Sequence, residues 1–340
     1  MIISFNTGKI ETKGGGGNLQ QKKVTVTENG LDVIVPDAGY DGFSTVYVKT
    51  NVGEGGSSYK DFSVIGYDDE TSIMLNNEID DDIAYSKSLY DAWNPENTSA
   101  KGLYQNNTKL VYAPAINTSN VTSAESMCEG CVVLEQIPYY DLSNCTDITN
   151  MFRNCKVLKT IDLSRWNTSN ISKMGGLFEY CYELTAIKGI GDIDISRNSV
   201  FSSLFNGCSK LTELDLSQWV LTKTQCLFSY LFAACNGLVS LNIQNIDFNN
   251  VTSITGIFSN TNNIENLIFG YNFKFQLSLT GMKKITVESL LSILNGLYDF
   301  TGNGETPTSS QGKLTLGSTN LAKLTDEQKA IATDKGWTLS

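Results

Sequence analysis

Histidine is absent from this chain of 340 residues. Imidazole is the commonest general base near neutral pH and the commonest ligand of transition metals, so its absence excludes serine-histidine and cysteine-histidine catalysis. Long apolar runs are missing as well. No stretch reaches the ~18 residues of a membrane-spanning helix, and the segment from Met1 to Gly8 lacks the basic and apolar regions of a secretory signal. We expect a chain that is made and folded in a cytoplasm and does not insert into a membrane.

Basic residues are few. The chain has 25 Lys and Arg against 36 Asp and Glu, a formal net charge of -11. The backbone of a nucleic acid and the surface of an anionic bilayer are themselves negative, so both would be repelled overall. We therefore expect no nucleic-acid partner.

What the chain does contain is a repeat. The apolar skeleton of Met151 to Trp166 returns in step, with its cysteine at spacings of 24, 26, 27 and 27 residues. This period lies in the range of ~20 to 29 residues that is typical of leucine-rich repeats. We predict an α/β solenoid: a leucine-rich-repeat array of about seven repeats of 24–27 residues, with one helix and one short strand each, over residues 103–278.

Within one repeat, the spacing of the apolar residues indicates two kinds of element. Asn170 can cap a helix whose inner face is the apolar set in 171–181, spaced three, three, one and three residues apart as a 3.6-residue period requires. Residues 161–163 and 214–216 alternate apolar and polar side chains, which is typical of a strand with one buried face. Each helix and strand would bury its apolar side only against the next repeat.

The cysteines and two tryptophans each allow a functional and a packing interpretation. Cys128 and Cys131 form a lone C-x-x-C, but zinc would need a second pair and redox chemistry a βαβ context, so packing is favoured. Trp166 and Trp219 could be sugar platforms or core residues, and the apolar residues at equivalent positions favour the core. We expect no metal and no cofactor. Five cysteines share one repeat position and should form a packed column: Cys131, Cys155, Cys181, Cys208 and Cys235.

The regions that flank the array differ from it in composition. Residues 1–20 include four successive glycines and indicate a flexible or docking arm. Alternating β-branched residues with Asn-Gly and Asp-Gly turns predict a small antiparallel β unit and linker over 21–60. We expect residues 61–102 to form the N-terminal cap of the solenoid and residues 279–340 a C-terminal α/β cap.

Local signals subdivide the C-terminal cap. They predict a helix over 286–297, a strand over 313–316, a helix that starts near Thr325 with a capping box, and a final strand over 336–339.

An acidic run lies in the N-terminal cap. Asp80 to Asp82 precede a predicted helix over 83–93, where carboxylates favour the positive end of the helix dipole. A calcium site together with Asp68, Asp69 and Glu70 is the alternative, although the spacing and glycine of a calcium loop are missing.

One stretch carries a family resemblance. The segment from Leu163 to Met174, with its Asn167-Thr-Ser-Asn170 sequence, followed by Leu177-Phe178-x-x-Cys181-x-x-Leu184, closely resembles the BspA-like leucine-rich-repeat family of bacterial surface proteins. The resemblance covers about residues 103–277 and departs where 186–190 carries an extra residue. It implies adhesion with protein or glycan binding, and no catalytic residues.

Two flanking segments suggest where such an array would be displayed. Lys23 to Gly42 and Leu316 to Trp337 look like parts of tail-fibre and other virion proteins from phages and prophages of gut bacteria. The resemblances imply a non-enzymatic phage virion component of the fibre or receptor-binding type. Residues 1–50 would join other virion proteins and the solenoid would contact a host surface protein or glycan. The alternative is a BspA-like adhesin on the bacterial cell surface. A homo-oligomer is compatible with a fibre, but no heptad or collagen pattern enforces one.

A binding face would lie first on the outward positions of the strands, because solenoids commonly bind along such surfaces, although these positions could equally be a solvated face only. A carbohydrate-active enzyme would instead need a carboxylate pair across a cleft, and Asp162 and Asp215 lie on equivalent strands that do not face each other. The candidate residues are Thr160, Asp162, Ser164, Glu213, Asp215, Ser217, Ser240, Asn242 and Gln244.

Overall fold

The structure is a computed structural model that describes residues 92–114 and 116–340 in full, together with residues 85, 88 and 89 and the backbone of seven strands between residues 2 and 76. The chain divides into two compact units. The first unit comprises residues 1–97, 109–120 and 134–141, and the second comprises residues 98–108, 121–133 and 142–340.

The first unit contains a seven-stranded antiparallel sheet with the strand order β1-β7-β6-β5-β4-β3-β2. β3 and β4 pair from Val26 opposite Leu31, on either side of the predicted Asn29-Gly30 turn, which lies outside the described residues. The strands are β1 (Ile2–Ser4), β2 (Glu11–Lys13), β3 (Gln21–Val26), β4 (Leu31–Pro36), β5 (Thr45–Val52), β6 (Gly56–Asp68) and β7 (Ser72–Asn76).

This sheet extends beyond the predicted β unit of residues 21–60. β1 and β2 fall in the predicted arm, and β6 occupies a Gly- and Ser-rich stretch that composition indicates to be linker. β5 pairs with β6 over eight residue pairs, so pairing with a neighbour outweighs local propensity here. Of the helix predicted over 83–93, residues 85, 88 and 89 are helical. The acidic run of residues 80–82 lies outside the described residues, as do Asp69 and Glu70 of the calcium alternative, and Asp68 is described only as the last backbone position of β6.

The second unit is built on turns that recur at the period of the repeat. In the segment 148–155, the N–H groups of successive residues donate in two directions. The N–H of Arg153 donates to the carbonyl three residues earlier at 3.0 Å, whereas that of Phe152 donates to the carbonyl of Leu177 in the next segment at 3.1 Å. Equivalent turn segments occupy residues 100–107, 124–131, 148–155, 174–181, 201–208, 228–235 and 254–261.

These turns replace the predicted helices, so the prediction of one helix per repeat is wrong. Each segment has two residues with positive φ, four positions apart, such as Asn150 (57°) and Asn154 (61°) or Gly176 (64°) and Tyr180 (61°). An α-helix needs a run of residues with φ near -60°. The left-handed residues are the third residues of type II turns, where glycine and asparagine are favoured. The structure shows parallel pairing between successive segments, and the solenoid and leucine-rich-repeat class stays our prediction.

The Asn-Thr-Ser-Asn sequence links repeats instead of capping a helix. Oδ1 of Asn167 accepts the N–H of Ser169 at 3.2 Å, which closes a local turn. Asn170 was predicted as a helix cap, but its Nδ2 donates to the carbonyl of Ser143, one repeat earlier, at 2.7 Å. The hydroxyl of Thr168 accepts the N–H of Asp194, one repeat later, at 2.7 Å.

Short parallel strands follow the turns, and each pairs with the strand one repeat away. β8 pairs with β9, β11 with β13, and β10, β12 and β14 form one sheet in that order. A single 3-10 turn, Phe248–Asn250, precedes β13. The strands are β8 (Thr160–Asp162), β9 (Ala186–Lys188), β10 (Glu213–Asp215), β11 (Cys226–Leu227), β12 (Ser240–Asn242), β13 (Val251–Ser253) and β14 (Asn266–Ile268).

The predicted cysteine column is confirmed, and it also makes hydrogen bonds. Each of the five thiols is fully buried and donates to a backbone carbonyl one repeat earlier. Thr261 takes the same position in the last turn segment, and its hydroxyl donates to the carbonyl of Phe232. The position therefore selects a small side chain that carries a donor. The thiol and carbonyl pairs are Cys131–Tyr104, Cys155–Cys128, Cys181–Phe152, Cys208–Phe178 and Cys235–Phe205, at 3.1 to 3.3 Å.

Aromatic rings form a second column beside the cysteines. Trp166 and Trp219 are buried against it, as predicted, and Nε1 of Trp219 donates to the carbonyl of Ile190 at 2.9 Å. The column gives the array a continuous core. Its stacked rings, with centroids 5.7 to 6.3 Å apart, are Phe152, Phe178, Phe205, Phe232 and Phe258.

The C-terminal region has the predicted helices and strands. Thr286 caps the first helix, and Thr325 forms a capping box at the third, as its sequence predicts. The strands pair in parallel in the order β15-β16-β17. The elements are β15 (Leu277–Ser278), α1 (Val287–Gly296), β16 (Lys313–Thr315), α2 (Gly317–Leu321), α3 (Asp326–Thr333) and β17 (Thr338–Leu339).

Helix α1 covers the edge of the β10-β12-β14 sheet with serine hydroxyls. The N–H groups of Leu267 and Phe269, on and just after β14, donate to Oγ of Ser289 and Ser292, both at 2.8 Å. An uncovered strand edge invites pairing with another chain, so these hydroxyls end the sheet.

The left-handed positions generate a stability prediction. Gly207 has φ of +81°, and a Cβ there would lie 2.7 Å from Cδ1 of Tyr180. Gly207→Ala should lower the free energy of unfolding by at least ~1–2 kcal/mol. Ala234, with φ of +54° in the equivalent position, provides the opposite control, since Ala234→Gly should raise it by up to ~1 kcal/mol. Urea unfolding measures both changes in free energy. Effects of the same sign and size would contradict the assignment of a left-handed backbone to these two positions.

The cysteine position generates a second prediction. Cys208→Thr keeps a donor for the carbonyl of Phe178, as Thr261 does in its own segment, whereas Cys208→Val has the same shape without the donor. The threonine variant should be more stable by about 1 kcal/mol in urea unfolding. A more stable valine variant would show that the position selects only for size.

Candidate binding surface

The structure brings some of the nine candidate residues together and separates others. Glu213 on β10 lies opposite Ser240 on β12, and Asp215 lies opposite Asn242, so these four side chains form two adjacent rows. Thr160, Asp162 and Ser164 belong to or follow β8, which pairs with β9 in a separate sheet. The predicted face is therefore two patches.

One candidate residue does not face solvent. Ser217 is only 8% exposed, so its prediction as an outward position is wrong. Its carbonyl accepts Nδ2 of Asn245, one repeat later, at 2.7 Å, and the chain then turns to bury Trp219. The strand alternation ends before this residue. Exposed candidates are Thr160, Ser164, Glu213, Asp215 and Gln244, and half-buried ones are Asp162, Ser240 and Asn242.

The polar residue that ends β8, β10 and β12 has a structural role that strand alternation does not reveal. Oδ1 of Asp162 accepts the N–H of Ser164 at 2.9 Å, and Oδ1 of Asp215 accepts the N–H of Ser217 at 2.9 Å. Asn242 does the same for Gln244 at 3.2 Å. These Asx turns fix the exit of the chain from each strand. Because asparagine does the same work as aspartate, the turn does not depend on the charge.

Asp162 is also paired with a cation. Its second carboxylate oxygen contacts Nζ of Lys188, directly opposite on β9. Burial raises the pKa of Asp162, but hydrogen bonds from Lys188 and Ser164 outweigh burial, and the pKa lies below its ordinary value. The residue that seemed most available for a partner is engaged within the array.

A polar ladder runs along the turn segments. Arg153 is its centre, donating to Glu129 at 2.9 Å and to Glu179 at 2.6 Å. Gln105 donates to Glu129 at 2.8 Å and Asn206 to Glu179 at 2.9 Å. The five residues occupy the same position in five successive turn segments. Comparing that position between repeats would have revealed the ladder from the sequence.

Exposed tyrosines lie in or next to the turn segments 174–181 and 228–235, on what we call the turn face, the outward side of the turn segments. Tyr182 is 40% exposed and Tyr230 is 45% exposed. The rings of Tyr180 and Tyr182 have centroids 6.0 Å apart, and the guanidinium of Arg153 lies 5.8 Å from the Tyr180 centroid. The sequence pattern indicates Trp166 and Trp219 as possible platforms and carries no signal at these tyrosines.

The described residues offer few groups that could act as nucleophiles or bind a metal ion. All eight cysteines are free and buried, and burial raises the pKa of Cys181 and of Cys235 to about 12. Thiols at such pKa values are protonated near neutral pH and are poor nucleophiles. In the part of the chain that the structure describes, no group of three or more His, Cys, Asp or Glu residues could hold a metal ion. The described helices also include none that is long and apolar enough to cross a bilayer.

The fold and the surface together define a repeat protein whose polar side chains mostly join one repeat to the next. Two overlapping segments, residues 98–219 and 146–271, match the sequence model of a family described as "Mycoplasma protein of unknown function, DUF285". Together they span slightly more than half of the chain, and the chain belongs to this family. The family is associated with BspA-like surface repeat proteins. A comparison with curated proteins finds no match.

The contributions of the Asx turn and of the ion pair of Asp162 to stability can be separated by measuring unfolding at two pH values. Asp162→Asn keeps the turn acceptor and removes the charge. Since the folded-state pKa is lowered, the carboxylate contributes stability above the unfolded pKa of ~4, and this is lost as pH falls through the folded value. We expect the variant to be less stable than the native chain by under ~1 kcal/mol at pH 7 and equally stable at pH 2, in urea unfolding.

Asp162→Ala is the matched control because it also removes the acceptor. It should remain less stable than the native chain at both pH values. A deficit of Asp162→Asn that persists at pH 2 would contradict the assignment of that deficit to the charge.

Proposed function

We propose that this chain is a non-enzymatic attachment protein of a phage virion, of the fibre or receptor-binding type. Its N-terminal region, residues 1–50, joins other virion proteins, and its repeat array presents a surface to a host protein or glycan. The observation that carries the proposal is the use of the polar side chains. The described carboxylates and amides of the array mostly bridge repeats or close turns, as Glu129, Glu179 and Asn170 do.

Such an arrangement suits presentation better than catalysis. An enzyme needs a nucleophile or an acid and base with perturbed pKa values at one place. The pKa values of Asp162 and Asp147 are lowered despite burial because each accepts hydrogen bonds from a lysine and from its own Asx turn, which are structural causes. Outward residues between these bridges remain exposed to solvent and can contact a partner.

The phage setting is supported by the flanking segments. Lys23 to Gly42 and Leu316 to Trp337 resemble parts of tail-fibre and other virion proteins. The first segment contains β3 and β4 of the antiparallel sheet, and the second contains α2 and α3. A chain that combines a repeat array with a second folded unit has the parts that a display protein requires.

A cell-surface adhesin is the second candidate. The observation that favours it is the association of the matched family with BspA-like surface repeat proteins. The array would have the same binding role, and only the particle or cell that carries it would differ.

Analysis of purified particles tests the proposal. We expect mass spectrometry of gradient-purified particles to detect the chain, and an antibody against it to label an appendage in electron micrographs. Particles from which the gene is deleted should lose the label and most of their adsorption to cells. Absence from particles, together with digestion by protease added to intact cells that carry no phage, would overturn the proposal in favour of the adhesin.

A further inference from the structure

Two tyrosines stand where the turn segments otherwise favour other residues. Tyr180 and Tyr230 both have left-handed backbones, with φ of 61° and 57°. A bulky side chain is disfavoured there, and such strain is concentrated at functional sites. Other segments place Asn106, Gly130, Asn154, Gly207, Ala234 and Asn260 at the position of Tyr180, and Gly102, Ser126, Asn150, Gly176, Ser203 and Gly256 at that of Tyr230.

Core packing does not account for these two residues. Tyr230 is 45% exposed, and Tyr180 is half-buried beside Tyr182, which is itself 40% exposed. Nearly half of Tyr230 stays in water, so burial offsets only part of the strain of its backbone. An aromatic ring that stays accessible on a strained backbone is typical of a residue that contacts a ligand.

The following repeat holds each ring in place. A Cβ on Gly207 would lie 2.7 Å from Cδ1 of Tyr180, and a Cβ on Gly256 would lie 2.5 Å from Cε1 of Tyr230. Each ring therefore lies over a glycine in the next turn segment, in space that any other residue would fill. Rings that are already positioned lose little entropy when a ligand binds.

We propose that Tyr180, Tyr182 and Tyr230 form a carbohydrate-binding surface on the turn face that takes a neutral oligosaccharide. Tyrosine rings offer a flat apolar surface with a polar tip, which suits a sugar ring that has C–H groups on one face and hydroxyls at its edge. Arg153 lies against Tyr180, and the ion pair of Glu183 with Lys210, at 2.6 Å, neighbours Tyr182, so donors and acceptors for hydroxyls adjoin the rings.

Charge decides which glycans fit. The net charge of -11 opposes sulfated and uronic-acid polymers, whereas neutral sugars are indifferent to it. Tyr180 and Tyr230 lie two repeats apart, roughly 10 Å along the array at the spacing of paired strands, so the surface suits several sugar units in a row. The inference rests on the proposed attachment function and names the class of ligand that the array would contact.

The test uses substitutions that should separate stability from binding. Tyr180→Asn and Tyr230→Gly, combined in the full chain, install residues that other segments carry at these positions. We expect this double variant to show a Tm that is raised by about 1–3 °C. We also expect its binding to a printed panel of neutral glucose, galactose, mannose and N-acetylglucosamine oligosaccharides to weaken at least ~10-fold.

Ala234→Gly is the matched control. It removes a left-handed non-glycine residue without removing a ring, so it should raise the Tm and leave glycan binding unchanged. A double variant with a lower Tm would show that the tyrosines are structural, and unchanged binding would show that the rings are not the site. Either result, or a native chain that binds no glycan on the panel, would overturn the proposal.

Attachment of labelled full chain to intact host cells distinguishes this inference from the proposed function. If the native chain and the double variant attach equally, the array binds a protein or another surface, and the glycan site is excluded while the attachment function stands. If the native chain attaches to no cells, the attachment function itself fails.

Discussion

The hydrogen bond from a turn N–H to the carbonyl one repeat later is the interaction on which the second unit depends. It can form only if alternate N–H groups point along the array, and this requires left-handed residues such as Asn150 and Asn154 at fixed positions. A helix would direct all its N–H groups along its own axis and leave the repeats joined only by the short strands and by side chains. The turns instead join every repeat to the next through the backbone, so that no segment satisfies its hydrogen bonds in isolation.

The other features follow from that bond. Segments held in register place equivalent side chains directly above one another, which produces the cysteine and phenylalanine columns inside and the polar ladder outside. Side chains then add further hydrogen bonds between repeats and at the edge of the sheet. The thiol of Cys208 donates to a carbonyl that already accepts one N–H, Asn170 bridges two repeats, and Ser289 and Ser292 end the sheet at α1. Tyr182 and Tyr230 are among the outward residues that remain exposed.

Local sequence predicted the helix cap at Thr325. Periodicity was sufficient to predict the repeat, the buried tryptophans and the cysteine column, because each depends on position in the repeat. It could not distinguish helix from turns, since a spacing of three, three, one and three places the same residues inward in both. The missed signal was the Asn and Gly residues at the left-handed positions, such as Asn150, Asn154 and Gly176. The extent of the N-terminal sheet depends on pairing between distant strands, which composition does not report. Strand alternation located Asp162 and Asp215, but not their Asx turns, and it carried no information on Tyr180 or Tyr230.

We propose that a scaffold of this kind serves to carry a surface and not to perform a reaction, and attachment to a cell is the property that follows. The most direct measurement is competition. Purified full chain is added in excess to host cells before phage particles that carry the gene, and the fraction of particles adsorbed is counted. The account predicts saturable inhibition of adsorption as the concentration of the chain rises. Adsorption that is unaffected at concentrations where the labelled chain saturates the same cells would contradict it.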